Sequence, residues 1–341
     1  MEKNRKGIYP TMLTPFTKNG EVDYEGVKQL TKWYWNKGCD GIFAVCQSSE
    51  LFYLTLEERV NIARTVIAEV RSLEQKDRTR EGMTVVVSGH KSDDFYMQAE
   101  ELNAMAETGA DALILITNRM DIENSSEQKW IKDTEKLLSV LPADFPLGLY
   151  ECPKPYKRLL TENMLRTCRD TGRFYFIKDT CCDADMIHNR CRLLSGSKTA
   201  LLNANAQTFL SSLRSGAAGY CGVMANFHPE LYKWLYENRN IPEMSELVQA
   251  FIGISAFTES LAYPATAKYY LREYEGLNIE SYSRSVDCSL VTDYQKSCLA
   301  QMKLLSDDLF QRINRLEQKH RPVFTNNSDD FMSQTYTSMG K

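Results

Sequence analysis

Lys178 is the residue whose setting in the sequence most clearly favours chemistry. It ends the apolar run 174–178 and precedes Asp179 and Thr180, a pattern typical of a short buried strand that meets its loop at the lysine. Burial penalises the charged form of a lysine and favours the free amine, which is a nucleophile. The alternative is a lysine that extends its stem along apolar surface and keeps its ammonium group in water. The run alone leaves both interpretations open.

Tyr150 is a second candidate, at the end of the apolar run 147–150 and directly before Glu151, Cys152 and Pro153. A phenol can donate and accept a proton at one oxygen, so it suits acid–base work beside a reactive amine. An interior tyrosine with a satisfied hydroxyl is the structural alternative.

The ten cysteines and four histidines could hold a metal only if their spacing allowed it. No two cysteines form a CxxC motif, which argues against a structural zinc site, and no metal is expected. We expect most of the thiols to be reduced core residues. Cys46, Cys152 and Cys221 lie near predicted strand ends, and Cys221 is included among the candidate substrate-binding residues.

Composition sets the broad class of the protein. The 341 residues are 43% hydrophobic and 25% charged, which is typical of a globular protein with a large core. The formal net charge is only -4 and basic residues are scattered among acidic ones, so nucleic acid is not an expected partner. No apolar stretch approaches the length of a membrane span, and no apolar signal core follows the charged N-terminus. We therefore expect a cytoplasmic protein without a membrane partner.

An alternation of short apolar runs and helical patterns could position the candidate residues. Eight runs indicate strands: 8–13, 41–45, 84–87, 112–116, 147–150, 174–178, 200–203 and 219–223. Helix start signals lie between them, at Thr55 with Glu58, at Ser125 with Gln128, and at Thr161. Eight strand–helix units predict a (β/α)8 TIM barrel. An open doubly wound sheet is the competitor, but no glycine-rich dinucleotide motif follows the first strand.

Strand signals stop after about residue 240. The segments 244–261 and 291–316 have apolar residues at helical spacing, separated by Pro264 and the polar stretch 276–285. The sequence therefore predicts a catalytic barrel over 1–235, a C-terminal helical region over 236–320 as an appendage to the barrel, and a polar tail over 321–341.

Several fragments, in this order and spacing, resemble the dihydrodipicolinate synthase and N-acetylneuraminate lyase family of pyruvate-dependent Schiff-base aldolases. The resemblance covers about residues 7–235. Its carriers are GIYPTMLTPF at 7–16, VD at 22–23, the stretch 41–50, LTLEER at 54–59, GADA at 109–112, YECP at 150–153, IKDT at 177–180 and the stretch 216–226. The resemblance implies a divergent member of this class I aldolase family, with its barrel fold and C-terminal helices.

The resemblance implies catalytic roles for Lys178 and Tyr150. In that family the lysine of strand six attacks the ketone of pyruvate or another 2-oxo acid and forms an imine. An iminium accepts electrons better than a ketone does, so a neighbouring carbon–carbon bond can be made or broken. Tyr150 matches the tyrosine of the Tyr-x-x-Pro motif, which moves protons during imine formation and bond cleavage. Asp179 should point to the opposite face of the strand, in a structural role.

The loop 46–50 takes the place of the family's Gly-Thr-Thr-Gly-Glu sequence. There, hydroxyl and backbone N–H groups hold the carboxylate of the 2-oxo acid. The resemblance therefore makes Gln47, Ser48 and Ser49 the candidate carboxylate-binding residues. Cys46 and Ser49 replace both glycines, so we expect a strained backbone at these two positions.

Two departures from the family argue against a true dihydrodipicolinate synthase. That branch carries Pro-Tyr-Tyr after strand four, and an arginine two residues beyond Tyr-x-x-Pro. Here the stretch 117–120 is Thr-Asn-Arg-Met, and Lys154, Pro155 and Tyr156 follow the motif. Arg119 could face the cavity mouth and meet a second acidic group, or lie in a solvated loop.

The segment after strand seven bears on the substrate. The sugar-acid lyase branch places small and acidic residues there, where they meet substrate hydroxyls. This chain has Asn203 and Asn205 instead, which could bind hydroxyl groups of a sugar acid or cap the next helix. Both interpretations remain open.

Together these features predict a Schiff-base lyase or aldolase that acts on pyruvate or a 2-oxo sugar acid through Lys178, without a cofactor. A dehydratase that uses the same imine is a close variant. A different class is a family member with reduced catalysis that binds a metabolite; the altered loop favours it, and the retention of Lys178 and Tyr150 opposes it. The expected partner is a small 2-oxo acid, and the resemblance implies a homo-oligomer, either a dimer or a tetramer.

Overall fold

The alternating apolar runs and helical segments fold into a barrel in the computed structural model, which describes residues 5–320. Eight parallel strands form its wall: β1 (Gly7–Ile8), β2 (Gly41–Ala44), β3 (Thr84–Val87), β4 (Ala112–Ile116), β5 (Leu147–Tyr150), β6 (Phe174–Asp179), β7 (Ala200–Asn203) and β8 (Gly219–Tyr220). Their hydrogen-bonded order is β1-β8-β7-β6-β5-β4-β3-β2, and a parallel bridge from Thr11 to Phe43 nearly closes the ring. The predicted (β/α)8 fold is confirmed.

A helix follows each strand on the outside of the barrel. These helices are α1 (Tyr24–Asn36), α2 (Leu56–Lys76), α3 (Phe95–Ala106), α4 (Glu127–Leu138), α5 (Glu162–Asp170), α6 (Ala184–Leu194), α7 (Phe209–Arg214) and α8 (Pro229–Asn238). Three further helices come after the barrel: α9 (Met244–Ser255), α10 (Ala265–Glu275) and α11 (Asp293–His320). Helix α8 runs across residue 235, the predicted end of the barrel domain, and the predicted tail 321–341 lies outside the described residues.

The strands are apolar because both of their faces are covered. Every residue of β2, β3, β4 and β5 is buried, as expected for parallel strands between a barrel interior and a layer of helices. Aromatic rings fill the interior: the ring of Phe43 lies 5.5 Å from that of Tyr150 and 6.3 Å from that of Phe176. Tyr9 packs on Phe176 at 5.5 Å. These rings close the barrel below its carboxyl end.

The two strands that close the barrel are shorter than predicted. Of the run 8–13, only Ile8 belongs to the β1–β8 ladder, although Tyr9 N–H still donates to the Tyr220 carbonyl at 2.8 Å. On the side of β2, Pro10 has no N–H to donate, so no continuous ladder forms there. The run 219–223 pairs only over Gly219–Tyr220, and a 3₁₀ helix begins at Val223. Single contacts replace the missing ladder, since Phe43 N–H donates to the Pro10 carbonyl at 3.0 Å.

Side-chain caps start the helices that the sequence marks. At α2, the Thr55 hydroxyl accepts from Glu58 N–H at 3.1 Å, and the Glu58 carboxylate accepts from Thr55 N–H at 2.9 Å. Thr161 caps α5. The start predicted at Ser125 is one residue early, because Ser126 accepts from the first turn of α4, while Ser125 donates to Asp121.

Candidate active site

A cavity of about 360 Å³ opens at the carboxyl end of the barrel, where the loops after the strands meet. Its size suits a small organic acid. Strand ends and their loops supply one part of its wall, including Gln47, Ser48, Tyr150, Lys178, Asn205 and Gly222. The region after the barrel supplies the rest, namely Ala256, Glu259, Tyr263, Pro264, Ser285 and Val286. The predicted residues Ser49, Asn203 and Cys221 do not line this cavity.

Lys178 and Tyr150 face each other across neighbouring strands. The β5–β6 ladder pairs the two residues directly, and their side chains are 4% and 3% exposed. The Lys178 Nζ atom lies 4.1 Å from the centre of the Tyr150 ring and 5.5 Å from that of Phe43. Within residues 5–320, this amine makes no hydrogen bond or ion pair. Its nitrogen is therefore held by packing and remains open to a ligand in the cavity.

Burial keeps the phenol of Tyr150 and the thiol of Cys152, both near Lys178, in their protonated forms. It raises the pKa of Tyr150 well above 10, and the nearby Cys152 adds to the shift. The phenol therefore keeps its proton at neutral pH and can donate it. Burial also raises the pKa of the Cys152 thiol, which donates to Gln47 Oε1 at 3.2 Å.

Cys221 lies behind the cavity wall. It is fully buried, and burial raises the pKa of its thiol to about 12, although the nearby Lys178 opposes the shift. The thiol therefore keeps its proton at neutral pH. The lining positions after β8 belong to Gly222 and Val223 instead.

The two serines after β2 have different environments. Ser49 Oγ accepts from Cys46 N–H at 3.0 Å and donates to the Met12 carbonyl at 2.6 Å, so it fixes the loop. Ser48 lines the cavity, and its hydroxyl donates to Thr11 Oγ1 at 3.0 Å. Of the two predicted hydroxyls, only that of Ser48 reaches the cavity.

The strained backbone predicted at Cys46 and Ser49 is found instead at the residues next to them. Cys46 has φ -107° and ψ -170°, which is ordinary extended backbone, and Ser49 is not among the residues with positive φ. Positive φ occurs instead at Val45 (52°) and Glu50 (61°). A β-branched residue such as Val45 at positive φ costs about 1–3 kcal/mol. The loop also leaves the backbone N–H groups of Gln47 and Ser48 without an acceptor in the described part of the chain.

The amides after β7 serve a turn. Asn203 is buried; its Oδ1 accepts from Asn205 N–H at 2.8 Å, and its Nδ2 donates to Thr208 Oγ1 at 3.0 Å. Asn205 lines the cavity, but its Oδ1 accepts from Thr208 N–H and its Nδ2 donates to Gln207. These contacts form a turn before α7, but no side chain caps that helix at its N-cap residue Thr208. The predicted helix cap is therefore not observed, and hydroxyl binding by Asn205 stays a prediction.

The segment after α9 forms a roof over the cavity. Residues Ala256–Ser260 are a 3₁₀ helix that carries Glu259, and Tyr263 follows. The Tyr263 hydroxyl accepts from Asn226 Nδ2 at 3.3 Å and lies within hydrogen-bonding reach of Ser48. Burial raises the pKa of Tyr263 well above 10. These residues were not predicted as part of the site, because the sequence marks 244–261 only as helical and Pro264 as a break after it.

A strap, residues 281–286, completes the roof and is tied to Glu50. Glu50 Oε1 accepts from Lys268 Nζ at 2.7 Å. Glu50 Oε2 accepts from Ser283 Oγ, Arg284 N–H and Ser285 N–H at 2.8, 2.7 and 2.8 Å. Both carboxylate oxygens of Glu50 are thus committed to the region after the barrel.

A buried ion cluster fixes the strands that carry the lysine and the tyrosine. Glu151 and Asp179, the residues after Tyr150 and Lys178, point away from the cavity to Arg190 of α6. All three are at most 4% exposed. Burial opposes the charge on Arg190, but Glu151 and Asp179 outweigh this effect and raise the pKa of the guanidinium. Asp179 is therefore structural in this arrangement, as its place in the strand predicts.

Arg119 does not face the cavity, contrary to the first of its two predicted placements. It is buried in the 3₁₀ helix Thr117–Arg119, donates to the Lys91 carbonyl at 3.0 Å and pairs with Asp93. The neighbouring Met120 also lies outside the cavity lining. The stretch that replaces Pro-Tyr-Tyr thus contributes no side chain to this cavity.

All ten cysteines are free thiols. Among residues 5–320, no group of three His, Cys, Asp or Glu side chains could hold a metal ion. In the same range, no helix has the length and apolar composition needed to cross a membrane.

Comparisons with known proteins agree with this architecture. Residues 4–73 match the Dihydrodipicolinate synthetase family. The chain is 25% identical over 225 residues to a 4-hydroxy-tetrahydrodipicolinate synthase of Clostridium perfringens, which covers 66% of this chain and 72% of that enzyme. The fold of this chain is similar to that of the sialic acid aldolase of Ruminococcus gnavus, with a TM-score of 0.77. The two are 20% identical in sequence, and the match covers 90% of this chain and 99% of the aldolase. A dihydrodipicolinate synthase of Bacillus anthracis gives a TM-score of 0.74 at 18% identity, covering 88% and 98%.

Proposed function

We propose that this chain, a divergent member of the dihydrodipicolinate synthase and N-acetylneuraminate lyase family, is a Schiff-base lyase or aldolase acting on pyruvate or a longer 2-oxo acid through Lys178. The observation that carries the proposal is the Lys178 amine, buried over the Tyr150 ring in a cavity and unpaired within the described residues. Members of the family are class I aldolases and lyases.

In the proposed reaction, Lys178 Nζ attacks the C2 carbonyl of the 2-oxo acid. The carbinolamine that forms must lose water, and the departing hydroxyl needs a proton. Tyr150 supplies it, since burial keeps its phenol protonated and its ring lies beside the amine. The phenolate that remains recovers a proton in the later step, from C3 or from the substrate hydroxyl that becomes the carbonyl on cleavage. The iminium then withdraws electrons from C3, so that a bond at that carbon can be made or broken.

The carboxylate of the 2-oxo acid binds at the loop after β2. The backbone N–H groups of Gln47 and Ser48 are unpaired in the described chain, and the Ser48 hydroxyl lines the cavity. Several short donors that converge on one anion bind it well in a site shielded from water. Ser49 acts on this site indirectly, by holding Cys46 and thus the loop.

We further propose that the substrate differs from that of a dihydrodipicolinate synthase. The stretch 117–120 contributes no tyrosine to the cavity, and the lining after Tyr150 consists of Pro153, Lys154 and Lys157. A polar cavity with lysines at its edge favours a longer hydroxylated acid, such as a 2-oxo sugar acid. Dehydration through the same imine is the second candidate, because an iminium promotes loss of a hydroxyl from the carbon beyond C3 as well as aldol cleavage.

The cellular setting is also proposed. Ten cysteines without a disulfide suit a reducing compartment, the cytoplasm. The family resemblance also implies a homo-oligomer, either a dimer or a tetramer. An interface on the C-terminal helices would cover apolar side chains that are exposed in this chain, including Ile254, Phe257 and Leu304.

Reduction by borohydride in the presence of pyruvate tests the proposed function. The intact protein should gain the mass of one reduced pyruvate adduct, and the peptide that contains Lys178 should carry it. A panel of longer 2-oxo acids would then rank the substrates by adduct yield. If no 2-oxo acid leaves an adduct, the protein is not a Schiff-base enzyme and the metabolite-binding alternative gains support.

Replacement of Tyr150 by phenylalanine should slow the formation of this adduct by about 10²–10³-fold, since a positioned proton donor contributes on that order. The adduct yield at long times should remain, because the amine is unchanged. The rate is measured by quenching with borohydride at successive times. Tyr156→Phe is the matched control: Tyr156 donates to the backbone of Ile122 outside the cavity lining, so its rate should equal that of the wild type. Equal rates in both variants would remove Tyr150 from the mechanism.

A further inference from the structure

The hydroxyl group of Tyr263 lies at the loop to which the proposed function assigns the substrate carboxylate. Tyr263 lines the cavity together with Ser48 and Lys178, although it belongs to the segment after α9 and not to the barrel. Its hydroxyl is within hydrogen-bonding reach of Ser48 and of Thr11. The roof therefore brings a polar group to the same corner of the cavity as the loop after β2.

Asn226 fixes the position of this hydroxyl. Its Nδ2 donates to the carbonyls of Thr11 and Val223, both at 2.9 Å, and its Oδ1 accepts from the Tyr34 hydroxyl. Because a carbonyl can only accept, these contacts set the orientation of the amide. The atom that approaches the Tyr263 oxygen, at 3.3 Å, is therefore the donor Nδ2. The Tyr263 oxygen acts as an acceptor toward Asn226, and its own proton must point elsewhere.

The proton of the Tyr263 hydroxyl has only neutral acceptors in the described part of the chain. Ser48 Oγ donates its single proton to Thr11 Oγ1 at 3.0 Å, so Ser48 can in turn accept from Tyr263. Burial raises the pKa of Tyr263 well above 10, so the phenol carries its proton at neutral pH. A carboxylate is a stronger acceptor than a neutral hydroxyl, and an anion that enters the cavity can take this hydrogen bond.

The ion pair closest to this loop is not available to a ligand. Glu50 lines the cavity, but its charge is offset by Lys268 at 2.7 Å and by three donors of the strap. Lys268 also donates to the Tyr282 carbonyl at 2.7 Å, and it does not line the cavity. An anion held at this loop therefore depends on neutral donors that converge on it.

We propose that the Tyr263 hydroxyl donates a hydrogen bond to the carboxylate of the bound 2-oxo acid, an inference that rests on the proposed function. The backbone N–H groups of Gln47 and Ser48 contact the carboxylate from the barrel, and the phenol of Tyr263 contacts it from the roof. Tyr263 binds the substrate and takes no part in the proton transfers at the imine. The site thereby selects 2-oxo carboxylic acids over neutral ketones with two parts of the chain.

Trapping by borohydride at increasing pyruvate concentration tests this role. Tyr263→Phe should raise the pyruvate concentration at half of the maximal trapping rate by about 10–100-fold, because a hydrogen bond to a charged group is lost. The maximal rate should stay that of the wild type, since Lys178 and Tyr150 are unchanged. With pyruvamide, which carries no anion at this position, the shift should be several-fold smaller, because a hydrogen bond between neutral groups contributes less.

Tyr269→Phe is the matched control, because Tyr269 is half-buried on the neighbouring helix α10 and does not line the cavity. It should keep the half-saturating concentrations of the wild type for both ketones. Equal shifts for pyruvate and pyruvamide in Tyr263→Phe would indicate a distorted cavity, and no shift would indicate that the hydroxyl does not bind the carboxylate. Either result overturns the inference and leaves the Schiff base intact. A wild type that forms no adduct with any 2-oxo acid would overturn the proposed function, and this inference with it.

Discussion

Replacement of Lys178 by alanine should abolish the borohydride adduct with pyruvate and lower turnover by about 10³-fold or more, as removal of a nucleophile does. The physical reason is specific to this residue: its amine is buried beside the Tyr150 ring and is free of protein partners within residues 5–320. Intact-protein mass and initial rates with the best 2-oxo acid of the panel are the two measurements.

The cavity provides a matched control for this substitution. Lys154 is exposed and lines the same cavity, so Lys154→Ala should form the adduct at the wild-type yield. An adduct that persists in Lys178→Ala would place the imine on Lys154 or Lys157, and the assignment of Lys178 would then be wrong.

Replacement of Arg190 by alanine should have the largest effect on stability. It would leave Glu151 and Asp179 buried together without a cation, and loss of one partner from a buried ion pair costs about 3–5 kcal/mol. The midpoint of urea unfolding, followed by circular dichroism, should fall accordingly. We also expect weaker catalysis in the folded fraction, because the cluster joins the strands of Tyr150 and Lys178.

The control for this variant lies on the same helix. Arg192 is exposed, so Arg192→Ala should change the free energy of unfolding by no more than about 0.5 kcal/mol. If Arg190→Ala unfolds at the same urea concentration as Arg192→Ala, the cluster does not stabilise the barrel as inferred here.

The sequence predicted the strands best where both of their faces are covered. The bounds of β3, β4, β5 and β7 agree with the predicted runs, because an apolar run enclosed by polar residues marks a buried parallel strand. It failed at β1, where Pro10 interrupts the ladder inside an apolar run, and at β8, where the chain turns after Tyr220. Apolar composition shows burial, but it does not show which N–H groups find a partner.

The candidate site was predictable only in part. The placement of Lys178 beside Tyr150 follows from their positions at the ends of neighbouring strands. Glu259 and Tyr263 come from a region that the sequence describes only as helical, and no local pattern shows that it returns to the mouth of the barrel. The roles of Ser48 and Ser49 also differ through contacts with Thr11 and Met12, which lie 37 residues earlier in the chain.

The order of the cavity walls along the chain has a consequence for biosynthesis. A ribosome releases the chain from its N-terminus, so β1 must wait for β8, more than two hundred residues later, before the ring can close. The roof follows later still, since Glu259 and the strap that binds Glu50 emerge after the last strand. A nascent chain can therefore complete its barrel while Lys178 is still uncovered, and the pocket becomes enclosed only after residues 256–286 have been synthesised.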